Sequence, residues 1–226
     1  MTSYLFQDFN ERCREVSKYF VFLKSLEQET TKLCMEDKNG NPKIRKIDPS
    51  LEKTLKASGF LLLYNLVEST MRNAIEAIFN ELDTKRVSFD RIKPELQKIV
   101  LQNLKKRNSD KVMSQITVIS LDIIQASFSK EDLFSGNIDG RLIRKTADEY
   151  GFSAKTDYSK TRDGIDLLIV KSNRNDLAHG FKSFAEVGRD KTADELWDIQ
   201  KKVIAYLRQV LENIETYMVN QEYLSY

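Results

Sequence analysis

Phe60-Leu61-Leu62-Leu63-Tyr64-Asn65-Leu66-Val67-Glu68-Ser69-Thr70-Met71-Arg72 is apolar around more than one face of a helix. A surface helix carries a single apolar stripe, so a segment that is apolar on several sides belongs in the middle of a bundle. Upstream, Asp48-Pro49-Ser50 supplies an N-cap and a proline at the first helical position. Together these predict one long central helix from Pro49 to about Leu82. Glu68 and Arg72 lie four apart in the favourable orientation for an ion pair. As a plain surface pair they are worth a few tenths of a kcal/mol; the functional alternative is a polar pair held beside an active site.

Outward from this helix, Leu5, Phe9, Cys13, Val16, Phe20, Leu23 and Leu26 recur at three- and four-residue steps. They predict a first helix from about Ser3 to Met35. That helix would hold Cys13 and Cys34 about 30 Å apart, beyond disulfide reach. The segment Glu36 to Pro42 is a loop, marked by Asn-Gly and Asn-Pro pairs. Further helices are expected over Pro94–Lys106, Ser109–Phe128, Arg141–Tyr150, Ile165–Ala178 and from Thr192 to about Asn220. Phe181 to Lys191 reads as a loop. The expected fold is all-α, an up-and-down bundle of six to seven helices forming one domain over residues 1–226.

Composition narrows the function classes. The 226 residues include only 8 Gly and 3 Pro, too few for the many turns of an all-β fold. A formal charge of +2 supplies no whole-molecule field, so a nucleic-acid site must be local. The segment Lys85 to Lys111 is the best local candidate, with Lys105, Lys106 and Arg107 placed to meet an RNA backbone. Two cysteines and one histidine so scattered do not make a zinc shell. No signal peptide or membrane-length apolar run is present, and a cytoplasmic location is expected.

The chemistry concentrates in Lys171-Ser172-Asn173-Arg174-Asn175-Asp176-Leu177-Ala178-His179-Gly180, which contains the one histidine. Histidine trades protons near neutrality, and arginine offers a planar cation suited to phosphate oxygens. Asn175 and His179 share a helical face, with Ser172 on the same stripe. Arg174, five residues before His179, must bend round to join it. Metal-free RNA cleavage needs a base for the 2′-hydroxyl, an acid for the leaving oxygen and cations for the phosphate between them. One histidine cannot be both acid and base if both are imidazoles, so a two-fold dimer is predicted to complete the site. The bland alternative is a surface histidine at a helix end.

At these residues the chain resembles the HEPN superfamily, whose signature is arginine, four to six residues, then histidine. Arg174-Asn175-Asp176-Leu177-Ala178-His179 has that form. Val67 to Arg72 is similar to the glutamate-to-arginine signature of several HEPN branches, and Ser135 to Asp139 with Leu177 to Gly180 and Ser183-Phe184 to the MAE-type branch. The resemblance implies a metal-independent endoribonuclease of toxin–antitoxin or anti-phage systems, without cofactor. Arg174 and His179 would be catalytic, Asn175 a polar helper, and Glu68, Arg72 and Asp176 supports. RNA, a second copy of the chain and an antitoxin or neighbouring defence protein are the implied partners. Toxins of the family that are silenced by nucleotidylation carry a tyrosine two residues after the histidine; Phe181 stands there in this chain. Some HEPN domains lack nuclease activity, so a silent interaction module is the alternative reading, and an oligomerisation protein with an incidental His179 a third.

Overall fold

A computed structural model describes residues 4–107 and 119–225. The central helix, α2, runs Pro49–Thr84, with the Asp48 carboxylate accepting the Ser50 amide at 2.8 Å. At 1.5 Å per residue it is about 54 Å long. Its buried residues, from Ala57 and Phe60 through Leu66, Met71 and Ile75 to Leu82, cover more than half of its circumference, and Leu62, Asn65 and Asn80 are exposed on the remaining side. The helices α1 (Tyr4–Glu27), α4 (Ile119–Ser127), α7 (Ile165–Ala178), α8 (Phe184–Arg189) and α9 (Ala193–Val219) pack against it. The helix α3 (Pro94–Lys105) lies on α4 and on α5 (Gly140–Tyr150), while the short α6 (Tyr158–Thr161) rests on α9. Nearly all the buried apolar side chains form one hydrophobic cluster. The all-α expectation holds, with a small addition.

That addition corrects the first helix. The apolar stripe from Leu5 to Leu26 is buried as expected, but α1 ends at Glu27, not Met35. Thr30 and Thr31 both turn their amides back onto the Ser25 carbonyl, at 3.0 and 3.1 Å. β-Branched threonines lose χ1 freedom inside a helix, and their hydroxyls compete for its carbonyls. The chain then forms an antiparallel hairpin, β1 (Leu33–Glu36) with β2 (Pro42–Arg45), around the Asn39-Gly40 turn. Cys34 is therefore exposed on a strand, whereas Cys13 is buried in α1. Both are free thiols, and burial pushes Cys13 up to about 11.

A second correction concerns Phe181 to Lys191. Most of this expected loop is α8, opened by a capping box in which Ser183 and Glu186 satisfy each other's backbone amides. Helix α8 lies against the start of α2 so closely that a Cβ on Gly188 would stand 1.8 Å from the Lys53 carbonyl oxygen. The remaining boundaries that fall on described residues agree within a residue or two, the start of the helix expected from Ser109 lying outside them, and the caps read from sequence (Asp48, Thr192 with Glu195) are formed. The expected residues Ser3, Ser109, Lys111, Val112 and Ile116 lie outside the described residues. Among the described residues no helix is long and apolar enough to cross a membrane.

The Gly188 contact yields a stability test. Gly188→Ala must force α8 away from α2, at a cost of about 2–3 kcal/mol. Thermal denaturation is expected to show Tm lowered by roughly 5–10 °C; an unchanged Tm would show that this close approach is not needed.

Candidate active site

The helix α7 presents the expected motif at its C-terminal end. Leu167, Val170 and Leu177 bury its inner side. On the outer side Ile165, Leu168, Ser172, Asn175 and His179 follow one another at three- and four-residue steps, a single stripe. The helix closes at His179, whose amide still reaches the Asn175 carbonyl at 3.0 Å. Gly180 then takes φ +71°, and the amides of Phe181 and Lys182 return to the Asp176 carbonyl at 2.9 and 3.3 Å. The Asp176 carboxylate pairs with the Lys182 ammonium at 2.8 Å. Asp176 thus fixes the turn that follows His179 rather than touching Arg174.

Arg174 does bend, but towards α2. Its guanidinium lies over the Tyr64 ring, 4.4 Å from the centroid. One terminal nitrogen donates to the Gly136 carbonyl at 3.2 Å and to Asn175 Oδ1 at 2.9 Å. Asn175 in turn donates to Asn137 Oδ1 at 3.1 Å. Gly136 takes φ +76°, and a Cβ there would stand 3.4 Å from the second terminal nitrogen. That second nitrogen and Nε carry no hydrogen bond among the described residues. His179 is exposed, its ring tilted against Phe181 at 5.6 Å between centroids. Within one chain no hydrogen bond joins Arg174 to His179 among the described residues.

Glu68 and Arg72 are more than a helical ion pair. Glu68 Oε1 accepts from Arg72 at 2.7 and 3.1 Å. Arg72 also donates to the carbonyls of Lys130, Glu131 and Phe134, at 2.5, 3.2 and 3.0 Å. Phe134 has φ +53°, a left-handed backbone that costs of order 1 kcal/mol or more for a non-glycine residue. The bond to its carbonyl helps hold that conformation. The loop so anchored carries Gly136 and Asn137 to Arg174 and Asn175.

Tyr64 was missed by the sequence reading, although the signal was there. It stands one turn before Glu68 and two before Arg72, a polar line on an otherwise apolar helix. The ring is buried and its hydroxyl accepts the Ile138 amide at 3.2 Å. Burial pushes the phenol up to about 12, opposed by the Ile138 amide and reinforced by Glu68. A further support is the ion pair of Lys171 with Asp139, which also caps α5 through the Leu142 amide at 3.0 Å. Burial would raise the Asp139 carboxyl, but Lys171 and that amide hold it below the ordinary carboxylate value.

The weaker RNA-contact candidates sit elsewhere. Lys105 and Lys106 are exposed where α3 ends, and Arg107 donates to the Phe128 carbonyl, joining the ends of α3 and α4. The arrangement on α7 offers a fixed cation with free donors and an accessible imidazole. Among the described residues no cluster of three or more His, Cys, Asp and Glu side chains could hold a metal ion.

In comparisons with known proteins, the family model described as MAE_28990-like HEPN matches residues 1–223. No curated protein and no solved structure matches.

The Lys171–Asp139 pair gives a pH prediction. Asp139 is depressed in the folded state, so its contribution is present above the unfolded carboxylate value, about 3.9, and is lost as pH falls through the lower folded value. Denaturant titrations from neutrality to pH 3 should show Asp139→Asn less stable than wild type at neutral pH and less acid-sensitive below about pH 4. Parallel pH profiles would refute this.

Proposed function

Because this chain belongs to the MAE_28990-like HEPN family, we propose that it is a metal-independent endoribonuclease whose complete site forms between two copies. The observation that carries the reading is the division of the motif. Arg174 is held by Tyr64, Gly136 and Asn175, while His179 stands unsupported on the exposed stripe of its helix. Ile165 and Leu168 on the same stripe are 46% and 50% exposed, and Phe181 beyond it is 77% exposed. An apolar lead into a polar motif suits a surface that a second copy covers around a two-fold axis.

In that dimer two imidazoles share the cleft. One removes the proton from a 2′-hydroxyl, whose oxygen attacks the adjacent phosphorus; the other delivers a proton to the departing 5′-oxygen. The strand is left with a 2′,3′-cyclic phosphate and a 5′-hydroxyl. The unbonded donors of Arg174 face the charge that builds on the phosphate oxygens. Asn175, Glu68, Arg72 and Tyr64 are positioning residues for that arginine. A toxin–antitoxin or anti-phage setting, with a neutralising or neighbouring defence protein, follows from the family resemblance.

Wild-type protein in EDTA should cut RNA to cyclic-phosphate ends. His179→Ala and Arg174→Ala should each lose at least about 100-fold in rate with their circular dichroism unchanged. Dependence on Mg²⁺ would overturn the chemistry, and no cleavage of any RNA by wild type would favour a silent binding module. Separately, Leu168→Arg should abolish the dimer in sedimentation and cleavage together. A fully active monomer would refute the shared site.

A further inference from the structure

Away from α7, the helices α1 and α9 enclose two adjoining hollows of about 490 and 650 Å³ that share Ser17, Ile204 and Arg208. Their cations are Arg14, Lys18, Lys160, Lys201 and Arg208, against a single carboxylate, Glu212. In a chain of net charge +2 this is a local concentration of positive charge. Arg14, Lys18 and Lys201 are exposed and form no ion pair among the described residues. Lys201 lies 5.4 Å from the ring centroid of Trp197, and Arg208 donates to Asn10 Oδ1 at 2.8 Å.

The second observation is Gln200. It lines the first hollow and is 98% buried, since only 2% of its surface is exposed. Its amide nitrogen donates to Ser17 Oγ at 2.7 Å, and its amide oxygen has no partner among the described residues. A buried acceptor without a donor is costly, and of the unpartnered buried oxygens among the described residues this one lines a hollow rich in cations.

We propose that the α1–α9 groove is a binding site for single-stranded RNA. The cations take the phosphates, and Gln200 accepts a hydrogen bond from a base amine or a 2′-hydroxyl. Lys201 and Arg208 are two helical turns apart on α9, about 10 Å, and Arg14 and Lys18 lie alongside them on α1, which the Gln200–Ser17 and Arg208–Asn10 bonds place antiparallel to α9. Cations spread over that length meet more than one phosphate of a strand rather than a single phosphate group. This site rests on the reading of the chain as an RNA-acting protein, and it lies apart from the Arg174–His179 motif. It would hold the strand while a distant part is cut.

The test measures binding without cleavage. A fluorescent, unstructured RNA is titrated with full-length His179→Ala protein by anisotropy at low and raised salt. Adding Lys18→Glu and Lys201→Glu together should weaken binding at least about tenfold and flatten the salt dependence by about 1.4, two single-strand phosphate contacts. Adding Gln200→Met instead should weaken binding with the salt dependence unchanged. Equal melting temperatures establish that the variants are folded. Unchanged affinity in both variants overturns the groove, as does a polyglutamate peptide that competes as well as RNA. If wild type cuts no RNA but these affinity losses appear, the groove stands and the nuclease reading falls. If cleavage in EDTA is confirmed and the losses do not appear, the nuclease stands and the groove falls.

Discussion

A charged side chain set into the apolar interior of a bundle must find partners, because stripping it of water without them costs several kcal/mol. Arg72 on α2, part-buried with about 20% of its side chain exposed, meets a milder form of that constraint in a way that organises the site. As an isolated i,i+4 pair with Glu68 it would contribute about 0.3–0.5 kcal/mol. Its added bonds to the carbonyls of Lys130, Glu131 and Phe134 are charge-assisted, a class worth about 1.5–3 kcal/mol each. The second kind dominates. Arg72 is therefore best understood as the anchor of a loop, and that loop sets the height of Gly136 and Asn137 against α7. Removing the guanidinium would leave Glu68 under-paired and three carbonyls to find other donors.

Tyr64 performs the matching task one turn from Glu68. Its hydroxyl accepts the Ile138 amide at the far end of the same loop, and its ring carries the Arg174 guanidinium. The loop is thus gripped at Phe134 by Arg72 and at Ile138 by Tyr64, with the Arg174 contact between. Both grips come from one face of one rigid helix. A loop fixed at two points by a helix can position a side chain on a third element without a metal or a disulfide.

Much of this was legible in the sequence because it depends on local rules. The wide buried surface of α2 follows from Phe60 to Met71, although Leu62 and Asn65 within it are exposed, and the end of α7 follows from Gly180. Where local signals competed, the reading failed. The apolar stripe that suggests helix stops at Leu26, and Thr30 and Thr31 end α1 well before Met35. The Ser183-x-x-Glu186 capping box was overlooked because only six helical residues follow it. The partner of Arg174 was out of reach for another reason. Tyr64 and Gly136 are separated from it by 110 and 38 residues, and no local pattern states which long-range pair will meet. The polar line Tyr64–Glu68–Arg72 could still have been noticed as an oddity in an apolar helix.

The two halves of the α7 motif differ in what the chain has spent on them. Arg174 has given up most of its side-chain freedom before any substrate arrives, a loss worth up to about 2 kcal/mol. It is repaid by a ring contact and two hydrogen bonds. A cation fixed in advance need not reorganise as charge develops on a phosphate, which is the condition for electrostatic stabilisation of a transition state. Among the described residues His179 has no comparable support, only the flank of Phe181. An acid–base imidazole needs an orienting partner as much as the arginine does, since the proton must leave or arrive along a set direction. Under the proposed dimer, that orientation comes from the second copy, and the apolar residues Ile165 and Leu168 set its register. On that proposal the monomer would build the phosphate clamp and assembly would supply the proton chemistry. An unassembled chain would have the first without the second, so dimerisation itself would control when RNA is cut.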